Sequence, residues 1–237
     1  MNQLPQGFRG AAIAAGLKSS GSLDLTLIVN TGPRFDAAAV YTSNKVVAAP
    51  VLWSREVTKG KLVRAAILNS GGANACTGPQ GFADTHHTAE KVGELLQISS
   101  GEVVVCSTGL IGELLPMPKI MAGIEKLSAN LHRDSLADVA QAIMTTDSVA
   151  KVATKTIQGV QCAGIAKGAG MLAPALATML SVVMTDAILP SSAQEIFLRV
   201  TDRTYNRIDS DGCTSTNDTV LLMGSGASQI SLSEEDF

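Results

Sequence analysis

Three short segments of this sequence concentrate the residues able to do chemistry. Asn69 to Asn74 reads Asn-Ser-Gly-Gly-Ala-Asn, and Ser107 to Gly112 reads Ser-Thr-Gly-Leu-Ile-Gly. The third, Lys167 to Thr178, opens on Lys-Gly-Ala-Gly and closes on Ala177-Thr178. Each of the three follows a run with strand character. One Gly-containing loop after a strand is a tight turn. Three of them, supplying hydroxyl, amide and amine groups, suit a site carried on loops by a rigid scaffold.

The familiar ways of arming such a site are missing. No G-x-x-x-x-G-K-[ST] is present, no G-x-G-x-x-G opens a helix after a strand, and there is no G-x-S-x-G elbow. The three histidines, His86, His87 and His132, form no H-E-x-x-H, and the first two read as solvated surface on a helix. Cys76, Cys106, Cys162 and Cys213 are widely spaced without a C-x-x-C pair, so neither a disulfide framework nor a metal centre is expected. An enzyme without these tools needs another activated nucleophile, and a Thr whose own freed α-amino group serves as base is one. Thr178 meets the requirement: it opens an apolar run and follows a loop containing Pro174, so cleavage between Ala177 and Thr178 would free it. Taken by pattern alone, the plainer reading of Thr178 is a β-favouring residue at a strand start.

The elements that must carry these groups are legible from periodicity. Leu23 to Asn30, Ala38 to Thr42, Val46 to Trp53 and Val63 to Leu68 read as strands, the last ending in the Asn69 to Asn74 loop. A helix is expected over Phe82 to Gln97 with Ala89, Val92, Leu95 and Leu96 on one face, followed by a strand over Glu102 to Cys106. Pro118 opens a helix with Ile120, Ile124, Leu127 and Leu131 inward, and Ser135 to Met144 forms another. Val152 to Ala163 reads as a hairpin about Gln158-Gly159, Thr178 to Thr185 as a buried strand, and Ser191 to Tyr205 as a helix capped by Ser191 or Ser192. A polar loop, Asp209 to Asp218, precedes a last strand from Thr219 to Met223. Strands and helices come in runs without a regular βαβ repeat, so the class is α+β, in layers of sheet and helix.

Composition bounds the partners. Among 237 residues, 18 Lys and Arg face 21 Asp and Glu, which excludes a strongly basic nucleic-acid binder and a polybasic membrane-surface protein. Hydrophobic residues reach 46% and charged ones 16%, so the chain is not disordered. Aromatics make up only 3%, which leaves the core to Ala, Val, Leu, Ile and Met. Met1 to Gly16 lacks the build of a secretory signal, and the longest apolar stretch, Met171 to Met184, is too short to span a bilayer. A cytoplasmic location is expected.

Beyond these patterns, Lys167-Gly168-Ala169-Gly170-Met171-Leu172-Ala173-Pro174, followed by Ala177-Thr178-Met179-Leu180, resembles the self-cleavage segment of the glutamate N-acetyltransferase (ornithine acetyltransferase) family of arginine biosynthesis. Leu68 to Gly78, Ser107 to Gly112 and Ser215 to Thr219 are similar to that family too, as are Gly7-Phe8-Arg9-Gly10 and Ala48-Ala49-Pro50-Val51. The resemblance implies stacked sheets between helices, like the N-terminal-nucleophile hydrolases but with the family's own topology. It implies that the precursor divides into a piece from 1 to 177 and a piece beginning at 178. Thr178 would then carry an acetyl group from N2-acetylornithine to glutamate in ping-pong fashion. By the same resemblance Thr108 and Gly109 form the oxyanion hole, Lys167 and Thr145 (or Thr146) contact substrate, and no metal or cofactor is needed. Acetyl-CoA is left open as a second donor. The two pieces are expected to associate, paired as a heterotetramer.

Members of the family continue past the last residues here, so the 178–237 piece is expected to be incomplete and the 237 residues alone inactive or poorly folded. Two other readings stand beside the transferase: a Thr-nucleophile amidase or aminopeptidase on a similar scaffold, and an inactive chain that only binds a partner.

Overall fold

The computed structural model describes residues 3–171 and 179–237. In chain order the elements are β1 (Phe8–Ile13), β2 (Leu25–Asn30), β3 (Asp36–Tyr41), α1 (Ala49–Lys59), β4 (Ala65–Gly72), α2 (Gly78–Leu96) and β5 (Val103–Leu110). There follow α3 (Met117–Ser128), α4 (Leu136–Ala142), β6 (Lys151–Ile157), β7 (Val160–Lys167), β8 (Leu180–Thr185), α5 (Ala193–Arg203) and β9 (Thr219–Gly224). The strands form two sheets, ordered β1-β2-β4-β5 and β3-β9-β8-β7-β6.

Alternation along the strands makes both faces of each sheet apolar, and so creates four layers. Leu25, Leu27, Val29, Ala65, Ile67, Val103 and Val105 face outward from the first sheet onto Ala89 and Val92 of α2 and Ile120, Ile124 and Leu127 of α3. Their neighbours Ile28, Ala66, Leu68, Val104 and Cys106 face inward, against Ala163, Ile165, Leu180, Val182, Met184, Leu221 and Met223 of the second sheet. The outer face of that sheet packs Ala38, Val220 and Leu222 on Ala193 and Phe197 of α5. Helix, sheet, sheet, helix is the layered α+β arrangement expected.

Each sheet contains one parallel pair, β4 with β5 and β8 with β9, among otherwise antiparallel neighbours. The helices α2 and α5 make the two crossovers, so a βαβ unit is embedded in each sheet although no regular repeat is visible in the sequence. Parallel pairing brings the carboxyl ends of β4 and β5 to the same edge of the sandwich.

Several expectations need correction. Val46 to Trp53 is not a strand: Pro50 sits in the first turn of α1, and Val51, Ser54 and Val57 recur at helical spacing on its buried face. The β-branched valines of that stretch favoured the wrong element. Asn69 to Gly72 and Ser107 to Leu110 are not loops but the last residues of β4 and β5, because each is tied to the other through a parallel ladder. The strand β1 is absent from the sequence reading, since Arg9 and Gly10 interrupt its apolar pattern; it exists through six paired positions with β2. Helix α2 begins four residues earlier than expected, with Pro79 in its first turn, and His86 and His87 lie exposed along it. The hairpin about Gln158-Gly159 is present, with φ of 48° and 87° at the two turn residues as a two-residue hairpin loop requires. Ser192 occupies the N-cap position of α5, but its hydroxyl pairs with Glu234 instead of capping the helix.

β5 is an edge strand, and α1 covers that edge. Trp53 Nε1 donates to the Val103 carbonyl at 2.9 Å. Ser54 Oγ donates to the Val105 carbonyl at 2.8 Å and accepts from the Val105 amide at 3.0 Å, so one hydroxyl does the work of a neighbouring strand. No helix among the described residues is long and apolar enough to cross a membrane. Ser54→Ala leaves both Val105 groups buried and unpaired, and should lower the unfolding free energy by about 1–3 kcal/mol. Urea titration checks this; a midpoint unchanged from the parent would show that α1 does not secure the edge.

Candidate active site

The carboxyl ends of β4 and β5 come closer together than side chains permit. Gly71 pairs with Gly109, and the ladder shifts register at Gly71 and Gly72. Gly109 has φ of 132°, and a Cβ there would lie 2.5 Å from the Gly71 carbonyl carbon and 2.6 Å from the Gly72 nitrogen. Only glycine fits both the space and the dihedral. The result is a kinked strand end with Thr108 buried and Gly109 exposed.

Amide and hydroxyl side chains hold this kink. Ser107 Oγ donates to Asn69 Oδ1 at 2.6 Å, and Asn69 Nδ2 donates to the Gly72 carbonyl at 2.9 Å. From the other sheet, Asn217 Nδ2 donates to the Ala73 and Ser107 carbonyls at 2.6 and 2.9 Å. Thr216 Oγ1 fixes the orientation of that amide by donating to Asn217 Oδ1. The Asn-Ser-Gly-Gly-Ala-Asn, Ser-Thr-Gly and Ser-Thr-Asn-Asp-Thr stretches are therefore one network.

Lys167 ends β7, opposite Leu180 of β8, which in turn pairs with Thr219 of β9. Its side chain turns from the second sheet toward the first, where Nζ donates to Thr108 Oγ1 at 3.1 Å. Both residues are buried, at 2% and 1% exposure. Burial pulls the Lys167 pKa down to about 8; Asp147 opposes the shift, and Lys151 adds to it. Asp147 lies beneath: its carboxylate accepts the Gly168 amide at 2.8 Å, the Thr145 amide at 3.1 Å and the Lys151 ammonium. Burial disfavours its charge, but these hydrogen bonds outweigh burial and hold its pKa below the usual range.

The second carboxylate, Asp218, stands just before β9 and is fully buried. Its Oδ1 accepts the Met179 amide at 2.8 Å, and the Thr219 amide donates to the Met179 carbonyl at 2.9 Å. Met179, the next residue in the chain after Thr178, is thus gripped from both sides. Burial raises the Asp218 pKa to about 6, against the Met179 amide, the Ser215 and Thr42 hydroxyls and the Lys167 charge.

Of the residues expected at the site, the structure brings Thr108, Gly109 and Lys167 together beside the amino end of β8. Thr145 is exposed, and its amide is linked to that of Gly168 through the Asp147 carboxylate; Thr146 is exposed as well. Ala177 and Thr178 lie outside the described residues. Sequence reasoning assigned no role to Asp147, Asn217 or Asp218. Their signal was present in stretches already singled out, Met144 to Asp147 and Ser215 to Thr219, but a buried carboxylate cannot be told from a turn Asp without the contacts. Among the described residues no group of three His, Cys, Asp or Glu side chains could hold a metal.

Asp218 has a consequence for stability. Its folded pKa, about 6, exceeds the ordinary value of 3.8, so the folded chain binds its proton more tightly than the unfolded one. Stability from this group is complete below pH 3.8 and is lost as pH rises through about 6. Asp218→Asn keeps an acceptor for the Met179 amide and cannot ionise. Relative to the parent, the variant should gain up to about 3 kcal/mol between pH 4 and 7, read by urea denaturation. A difference that stays constant with pH would contradict the assignment.

Comparisons with known proteins bear on the family and the fold. A profile of the ArgJ family matches residues 9–237. The arginine biosynthesis bifunctional protein ArgJ of Streptomyces avermitilis is 58% identical over 98% of this chain and 61% of its own length, and that of Mycobacterium tuberculosis is 52% identical over 98% and 60%. The chain thus spans about 60% of the length of these curated relatives. Among solved structures, ornithine acetyltransferase of Mycobacterium tuberculosis, complexed with ornithine, superposes with a TM-score of 0.65 at 45% identity, covering 76% of this chain and 97% of that one. The L-aminopeptidase D-Ala-esterase/amidase of Ochrobactrum anthropi, a variant of the Ntn-hydrolase fold, superposes with a TM-score of 0.54 at 11% identity, over 94% and 74%; what it shares is the fold. The profile match over residues 9–237 and the sequence identity lead to one conclusion: the chain belongs to the ArgJ family.

Proposed function

We propose that the protein moves an acetyl group from N2-acetylornithine to glutamate, giving ornithine and N-acetylglutamate, with Thr178 as the acyl carrier. The observation that carries this reading is the convergence of Thr108, Gly109 and Lys167 on the amino end of β8, where Asp218 and Thr219 clamp the residue after Thr178. A rigid clamp there suits a residue that must serve as nucleophile.

The sequence of steps follows from that position. First the Thr178 hydroxyl attacks the Ala177 carbonyl carbon; its proton ends on the departing nitrogen, and the peptide becomes an ester with a free α-amine. Water opens the ester and separates a piece ending at Ala177 from one beginning at Thr178. The α-amine, with a pKa of about 8, then takes the hydroxyl proton as Oγ attacks the acetyl carbon of N2-acetylornithine. Ornithine leaves as the protonated amine, and the glutamate amine attacks the acetyl-threonine to complete the exchange. Each attack develops an oxyanion, for which the Thr108 hydroxyl and the Gly109 amide are the proposed donors, a contribution of several kcal/mol.

A divided precursor has support in the lengths of relatives. The solved mycobacterial chain is covered to 97% by 76% of this one, whereas the whole mycobacterial ArgJ protein is covered only to 60% by 98%. The solved polypeptide is therefore much the shorter of the two. Thr145 and Lys167 are the proposed substrate contacts, and the reaction as written needs no cofactor; acetyl-CoA would enter only as an alternative acetyl donor. The two pieces reassociate and pair in a cytoplasmic heterotetramer. The amidase reading has only the fold in its favour.

Incubation of the full-length protein with N2-acetylornithine and glutamate should yield ornithine and N-acetylglutamate in equal amounts, and intact mass should show two pieces. Thr178→Ala should remain a single piece and form no product. Release of free acetate without acetylglutamate, or cleavage that persists in Thr178→Ala, would overturn the assignment.

A further inference from the structure

Lys167 makes a connection that substrate binding does not require. Its ammonium is buried, and among the described residues it forms no ion pair. Two carboxylates act on its charge without pairing with it: Asp147 is engaged by the Gly168 and Thr145 amides and Lys151, and Asp218 accepts the Met179 amide through Oδ1, while its buried Oδ2 has no close hydrogen-bond partner among the described residues. What Lys167 does contact is the Thr108 hydroxyl, at 3.1 Å, across the gap between the two sheets.

The direction of that hydrogen bond is fixed by chemistry. An ammonium has three donors and no acceptor, so Thr108 Oγ1 must accept. A threonine hydroxyl has one proton and two lone pairs, and the contact with Lys167 occupies an acceptor side. Among the described residues the Thr108 hydroxyl donates to no other group, so its proton has no competing partner. A charge-assisted bond to the oxygen also polarises the O–H, which strengthens it as a donor.

We propose that Lys167 is a positioning residue of the oxyanion site, holding and polarising the Thr108 hydroxyl so that its proton is aimed at the oxyanion on the Thr178 acyl group. This rests on the proposed roles of Thr178, Thr108 and Gly109, and adds a function to Lys167 beyond a carboxylate contact. The two roles separate in the self-cleavage step. That step develops an oxyanion but involves no substrate carboxylate. A Lys167 that only binds carboxylate is silent there; one that acts through Thr108 is not.

The test uses the full-length protein with Lys167→Met, Lys167→Gln and Thr108→Ala, alone and combined, with folding checked by urea midpoint. Intact-mass time courses should show Lys167→Met cutting itself about ten- to a hundredfold more slowly than the parent, with Lys167→Gln, which keeps a neutral donor, in between. Once cut, Lys167→Met should lose kcat by a similar factor. Combining Lys167→Met with Thr108→Ala should be no slower than Thr108→Ala alone, since the first acts through the second. Should Lys167→Met fail to fold, Lys167→Gln takes its place in the cycle with the same expectations in smaller measure. Cleavage at the parent rate with only KM raised, or fully additive losses in the double variant, would overturn the proposal. A parent protein that neither cuts nor transfers acetyl would instead remove the functional reading on which it stands.

Discussion

The candidate site depends on two sheets being held at one fixed separation. Lys167 belongs to β7 and Thr108 to β5, and these strands lie in different sheets, so the bond between them exists only if the sandwich closes at the correct spacing. Asn217 makes the same demand from beside β9, reaching the carbonyls of Ala73 and Ser107 on the opposite sheet. The apolar layer between the sheets, built from Ala163, Ile165, Leu180, Val182, Leu68 and Val104, sets the distance; the polar bridges set the register.

The same closure explains the unusual charges. An ammonium with a pKa near 8 and a carboxyl with a pKa near 6 lie within one buried region, shifted toward each other by loss of water. In the proposed reaction, groups poised near neutrality sit beside an α-amine that titrates in the same range. Asp147 takes the opposite course, held ionised by three hydrogen bonds, and supplies the fixed negative charge that allows Lys167 and Lys151 to coexist.

Much of this is legible in the sequence. The layered α+β class followed from runs of strand and helix, and the helices α2 and α3 from their apolar stripes. The three small-residue segments, and the Thr108, Gly109 and Lys167 within them, were visible from residue type and from family resemblance. The parts that were missed have physical reasons. Asn69 to Gly72 carries no strand propensity of its own, and becomes strand because a parallel partner supplies the ladder. Val51 and its neighbours favour strand locally, but Pro50 and the need to cover the β5 edge make them helix. Asn217 owes its role to contacts with the opposite sheet and Asp218 to one between neighbouring strands of its own sheet, and no local pattern encodes either.

The central claim is that an acyl group on Thr178 points its carbonyl oxygen at Thr108 and Gly109. The most direct measurement is a crystal structure of the full-length protein trapped as its acetyl-threonine. The account predicts the acetyl oxygen within about 3 Å of both Thr108 Oγ1 and the Gly109 nitrogen, with Lys167 still bonded to Thr108. An acetyl oxygen directed at solvent, or held by other donors while Thr108 stays paired with Lys167 alone, would contradict it.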